Sequence, residues 1–144
     1  MNTAKLLISD SEHHADMLYI SGLFVPDAFI VIGLEDNAQT TWHGLLSPLE
    51  VDRAKAQSKL HHVHLDSLWH DKARQYDWQR SLSTAAAAFL KEHNVKYITV
   101  PADFPFLYAQ ELIALGFEVS PSPASLFPQR VVKTEDEIIQ LTHA

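Results

Sequence analysis

AFIVIGLEDNAQTTW, residues 28–42, decides how the chain folds. Residues 28–34 form a nearly unbroken apolar run, the pattern of a strand covered on both faces. Glu35, Asp36 and Asn37 interrupt the run with polar turn formers, and Thr40, Thr41 and Trp42 resume it with β-branched and aromatic residues. The segment reads as strand, turn, strand, and so as an antiparallel pair.

Upstream of this pair, residues 5–9 and 18–20 read as further short strands. Downstream, Ser47-Pro48-Leu49-Glu50 opens a helix. Ser is a good N-cap, Pro suits the first helical position, and Glu50 stands three residues after the Ser, which makes a capping box. That helix is predicted to reach about Ser58, and HHVHL, residues 61–65, follows as another strand. Ser83 and Thr84 introduce the strong helix formers Ala85 to Leu90, weighted by Leu82, Phe89 and Leu90 and stopped at His93-Asn94 before a strand at 96–100. A helix from about residue 104 or 105 carries Leu107, Tyr108, Leu112 and Leu115, with Gly116 where a C-terminal cap glycine belongs. Three prolines between Pro121 and Pro128 mark an extended connection. A last helix is expected from Thr134, boxed by Glu137, with Glu135 and Asp136 at its positive end and little chain beyond Leu141 to support it. Helices alternating with single strands, together with the early antiparallel pair, give an α/β class with a mixed sheet.

The chain has 144 residues, 11 Lys+Arg against 18 Asp+Glu, a net charge of −7, nine His and no Cys. One domain is expected, and at this size folding buries roughly 70% of the unfolded surface. Without Cys there is no disulfide framework, thiolate nucleophile, iron–sulfur cluster or Cys-ligated zinc. The acidic balance opposes nucleic acid and anionic membranes as partners, since both recruit Lys and Arg. No apolar run approaches the roughly 18 residues a span requires. The N-terminus does not resemble a secretory signal, so a cytoplasmic location is expected.

Local chemistry is sparse. His62, His64 and Asp66 would share one face of a strand, and two imidazoles with a carboxylate are donors for a divalent metal. Consecutive same-face strand residues diverge, however, and no HExxH spacing accompanies them. His61 and His70 belong to the same local group, and exposed histidines on the outer face of an edge strand explain the pattern equally well. No GxSxG elbow and no phosphate-cradling glycine loop is present. No residue is therefore assigned as catalytic or as a metal ligand. Among the aromatics Phe24, Phe29, Trp42, Trp69 and Trp78, Phe24 is the least suited to a core, because it stands between Gly22 and Pro26.

Two segments carry a resemblance. LLISDSEHHADMLYISGLFVPDAFIVI, residues 6–32, resembles the opening of the N-terminal domain in the aminopeptidase P, prolidase and creatinase family, with Asp16, Tyr19, Ser21, Gly22 and Phe24 at its motif positions. FPQRVVKTEDEIIQL, residues 127–141, resembles the segment that links this domain to the catalytic one, through Lys133, Thr134, Glu137 and Ile138; the helix at 47–54 is also similar. The resemblance implies that residues 1–130 form a creatinase/prolidase-type N-terminal domain. That domain is ribonuclease H-like, a mixed sheet with helices on both faces. Residues 131–144 would begin the linker helix to a catalytic domain that this chain does not contain.

In the family that catalytic domain, of pita-bread type, holds two Asp, one His and two Glu around a dinuclear manganese, cobalt or zinc centre. None of those positions falls in this sequence, so no cofactor is expected in the chain itself. The implied partners are its own catalytic domain and further copies in a homo-oligomer. The implied function is that of a non-catalytic domain that shapes substrate access and subunit contacts, with Phe24, Asp27 and Trp42 as the residues of access or interface. Asp16, Tyr19, Ser21 and Gly22 are then structural. The alternative is a stand-alone binding or scaffold protein of the same fold.

Overall fold

Asn37 and Ala38 carry the central turn. Both have left-handed backbones, with φ of 49° and 66°, a geometry whose twist matches the strands it joins. Asp36 faces Gln39 across the turn. The turn thus falls later than the polar run suggests, because Glu35 and Asp36 still belong to the strand. The protein is seen here as a computed structural model that describes residues 3–123 and 126–127.

In chain order the elements are β1 (Thr3–Ser9), α1 (Ala15–Ser21), β2 (Phe29–Asp36), β3 (Gln39–Leu46), α2 (Pro48–Gln57) and β4 (His62–Leu65). They continue as α3 (Asp66–Gln75), α4 (Leu82–Glu92), β5 (Tyr97–Val100), α5 (Phe106–Ala114) and β6 (Glu118–Pro121). The sheet order is β4-β3-β2-β1-β5-β6. Strand β2 runs antiparallel to β1 and to β3, whereas the β3–β4, β1–β5 and β5–β6 pairs are parallel. The mixed α/β sheet is the one expected.

Both faces are covered. Ile30, Val31 and Ile32 of β2 have no exposed surface, as a doubly covered strand requires. Ile30 and Ile32 pack with Leu6, Ile8 and the buried residues of α4 and α5, whereas Phe29 and Val31 pack with Leu7, Met17, Val51 and Ala54 under α1 and α2.

Helix α4 is the most deeply buried element. Ala85 to Ala88 are fully buried, as are Phe89 and Leu90; the small side chains let the backbone lie close to the sheet, and the large ones fill the space at its end. Its start is fixed by a capping box in which Ser81 Oγ accepts from the Thr84 N–H at 3.1 Å and Thr84 Oγ1 accepts from the Ser81 N–H at 3.0 Å. The Glu111 carboxylate of α5 accepts from Ser81 Oγ at 2.9 Å and Ser83 Oγ at 2.5 Å, which places a negative group at the positive end of α4.

Several local readings change. Residues 18–20, read as a strand, are the second half of α1: the His14 ring accepts from the Met17 N–H, and Gly22, at φ 67°, closes the helix. Seven residues are too few for period 2 and period 3.6 to separate. Helix α2 starts at Pro48 as expected, but the Ser47 side chain makes no capping bond, and the Glu50 carboxylate, which would form the reciprocal half of the box, pairs with Arg53. Helix α3 went unread because only His70 and Ala73 are buried on it, which leaves almost no apolar period. Strand β6 is a four-residue edge strand ending in Pro121, where a missing N–H is tolerated. The expected helix from Thr134 and the boundary at residue 130 lie outside the described residues.

The turn gives the first prediction. A left-handed backbone costs a Cβ-bearing residue about 1 kcal/mol or more relative to glycine. Ala38→Gly is therefore expected to raise the urea midpoint, and a midpoint that fell would contradict the turn geometry.

Candidate functional site

Strand alternation sends Trp42 and His43 of β3 to opposite faces, and each organises a different site. Trp42 lies opposite Gly33, over which its ring packs so closely that a Cβ on the glycine would stand 2.7 Å from it. On that face Phe127 lies 5.4 Å from Trp42 and 5.5 Å from Tyr19, ring centre to ring centre. These three rings, with Lys5, Lys59 and His61, line an open hollow of about 560 Å³. Lys59 donates to the Tyr19 carbonyl at 3.2 Å and sits 5.1 Å from the Tyr19 ring centre. His61 is held by two bonds to Trp42: its N–H donates to the Trp42 carbonyl at 2.9 Å, and its Nδ1 accepts from the Trp42 N–H at 2.8 Å.

Phe24 belongs to the same side of the sheet but not to that hollow. Its neighbours Leu23 and Val25 are buried, whereas Phe24 is 55% exposed. The loop is tied down by Ser11, whose hydroxyl donates to the Leu23 carbonyl at 2.5 Å and accepts from the Val25 N–H at 2.7 Å. Arg53, oriented by Glu50, donates to the Phe24 carbonyl at 2.9 Å. Gly22 starts the loop at φ 67°, and a Cβ there would also meet the Lys59 side chain at 3.0 Å. Ser21 donates back to the Met17 carbonyl at 2.7 Å, and its own carbonyl accepts from the Lys59 N–H at 2.9 Å. Asp16 is buried on the same helix, and Asp27 is exposed just before β2. The motif residues thus shape the loop that presents an apolar ring to solvent on a fixed backbone.

The other face holds histidines. Residues His62 and His64 share a face of β4 as read, but Asp66 does not join them, since it opens α3. Instead, His43 and His93 come from β3 and from the end of α4. His43 Nδ1 and His64 Nε2 are 3.1 Å apart, and the His43 ring lies 4.8 Å from His62 and 6.1 Å from His93. Phe89 packs against His43 at 5.1 Å, His64 at 5.6 Å and His93 at 4.2 Å. His61 and His62 are exposed at the edge strand β4 as expected, but His43 is only 8% exposed, so the edge histidines back onto a half-buried cluster. Sequence reasoning could not find it, because nothing local connects residue 43 to residue 64 or 93.

Burial pushes the His43 imidazole down to about 4, aided by repulsion from His64, His62, His93 and His61. His64 is lowered for the same first reason, with His62, His93 and Lys55 adding, and His70 by burial and Arg80. Trp69 Nε1 and His70 Nδ1 are buried with no hydrogen-bond partner among the described residues.

The one group of three or more His, Asp or Glu side chains with ligand atoms in mutual reach among the described residues is Asp10, Glu12 and His13. It is largely exposed, and Asp10 is already engaged by His13 through the backbone N–H at 2.8 Å and the ring at 3.0 Å. Three residues, one of them so committed, do not fit a dinuclear centre that needs four carboxylates and a histidine.

No protein-family model matches the chain, and no curated protein matches it in sequence. Solved structures do. The aminopeptidase P, an Xaa-Pro aminopeptidase, from Streptococcus thermophilus is similar with a TM-score of 0.55 at 15% identity, over 83% of this chain and 77% of that one. The X-Pro aminopeptidase from Thermotoga maritima gives 0.59 at 11% identity, and a putative aminopeptidase P from Bacillus anthracis gives 0.53 at 10%. The fold is that of the aminopeptidase P N-terminal domain. At such identities the likeness is one of fold alone. This chain spans 31% of the Thermotoga chain and 33% of the Bacillus chain.

The cluster sets a pH dependence. His43 titrates near 4 in the folded chain against an ordinary 6.5, so between these values the unfolded chain binds the proton and the folded chain does not. Stability is therefore full above about pH 6.5 and falls as pH drops toward 4, by on the order of 3 kcal/mol from His43 alone. Urea denaturation at pH 7.5, 6 and 4.5 measures this, and a stability that is flat from pH 7.5 to 4.5 contradicts it.

Proposed function

We propose that this chain acts as the non-catalytic N-terminal domain of a metal-dependent Xaa-Pro peptidase of aminopeptidase P or prolidase type, where it shapes substrate access and contributes subunit contacts. The observation that carries the reading is the joint presence of the shared fold and a pinned loop that exposes Phe24. An aromatic ring held on a rigid backbone loses little conformational entropy when it meets a partner or narrows an entrance. Trp42 contributes from the neighbouring hollow and Asp27 from the start of β2. Residues 131–144 would lead toward the catalytic domain, which would hold the dinuclear metal centre. The expected setting is cytoplasmic, and among the described residues no helix is long and apolar enough to cross a membrane.

Two measurements test the reading. The purified 144-residue chain, supplied with manganese or cobalt and an Xaa-Pro dipeptide, is expected to show no cleavage; robust hydrolysis overturns it. Reading the encoding gene past codon 144 is expected to reveal the two Asp, one His and two Glu, and a stop codon there favours the stand-alone scaffold instead. Phe24→Ser is a surface change, expected to leave unfolding free energy within about 0.5 kcal/mol. It should nevertheless weaken self-association in sedimentation at several concentrations.

A further inference from the structure

The histidine cluster lies on the sheet face away from Phe24 and plays no part in the proposed access role. Its geometry has a chemistry of its own. Zinc binds imidazole nitrogen at about 2.0–2.1 Å, so two nitrogens on one tetrahedral ion stand about 3.3 Å apart. His43 Nδ1 and His64 Nε2 already stand 3.1 Å apart, sharing one proton where an ion would need only a few tenths of an ångström more. The two come from adjacent parallel strands whose register sets His43 beside His62 and Leu45 beside His64.

We propose that His43 and His64 form the anchor of a binding site for one divalent transition-metal ion of the zinc class, with His62 swinging in as the third ligand and water as the fourth. His62 is exposed, and its ring centre is 4.8 Å from that of His43 and 6.4 Å from that of His64; the three rings do not bring their nitrogens into mutual reach as they stand, so the third bond requires the exposed His62 side chain to rotate. Three neutral imidazoles without a carboxylate select zinc, nickel or copper over magnesium or calcium. His93 closes the site on the α4 side, its Nδ1 hydrogen-bonded to the Phe89 carbonyl at 2.8 Å. Bound metal would tie the four-residue edge strand β4 to β3.

The test is calorimetric titration of the tag-free full chain with zinc chloride at pH 7.5, paired with thermal melts. One ion per chain is expected, with a dissociation constant in the micromolar range or below and a rise in Tm that EDTA reverses. His64→Gln and the exposed His62→Gln are each expected to weaken binding tenfold or more, whereas His13→Gln, in the Asp10 group, leaves it unchanged. His62→Gln keeps the test open should His64→Gln fail to fold. Binding no tighter than millimolar, or binding lost in His13→Gln and kept in His62→Gln, overturns the site.

Discussion

Phe89 is the point on which the arrangement of one face turns. It stands one residue before the end of the fully buried stretch of α4 and touches rings from four other positions, His43, His64, Trp69 and His93, at centre distances from 4.2 to 5.6 Å. Burying a ring of this size contributes several kcal/mol when compared with its truncation to Ala, so the register of α4 on the sheet is strongly specified. That register brings His93 over β3, and the apolar ring beside His43 withdraws water from it. The low proton affinity of His43 and His64 follows first from burial, with repulsion from the neighbouring histidines, and from Lys55 for His64, adding to it.

The sheet supplies the second constraint. Because β2 is covered on both sides, its neighbour β3 must also divide its side chains between two cores. Trp42 goes to the face of α1 and α2 and His43 to the face of α3, α4 and α5. A single-residue slip of β3 against β2 would exchange them, placing an indole under α4 and an imidazole among Tyr19 and Phe127. The contact of Trp42 with Gly33 opposes that slip, since no other residue leaves room for the ring.

How much of this was legible follows from the range of the signals. The hairpin, α2, α4 and α5 announce themselves locally through the apolar run, Pro48, the alanines and Gly116. The left-handed Ala38 did not, because nothing in an alanine signals a positive φ. Helix α3 was invisible because its inward face consists mainly of Trp69, His70 and Ala73, too mixed to make an apolar period, and the capping carboxylate Glu111 because it arrives from another helix. The Phe24 loop was half legible: Gly22 and Pro26 mark it as a loop, but its rigidity depends on Ser11 and Arg53, which no spacing ties to it. The histidine cluster needed the full topology, since residues 43, 64 and 93 meet only after β3 pairs with β4 and α4 lies across them.

The two proposed roles would occupy separate faces of the sheet. The loop at Phe24 draws its rigidity from Ser11, Glu50 and Arg53, and the cluster draws its geometry from β3, β4 and α4; the two share only the backbone of β3 and the strands between. A substitution in one face that leaves the sheet intact is expected to be additive with one in the other, because independent sites without common partners rarely couple by more than about 0.5 kcal/mol. Loss of metal binding in a β4 variant would therefore leave any access role of Phe24 untouched, and a chain without self-association could still hold zinc. The one position through which the two could couple is β3 itself. A change at Gly33 that displaced Trp42 would move His43 by the same strand shift, and both sites would respond together.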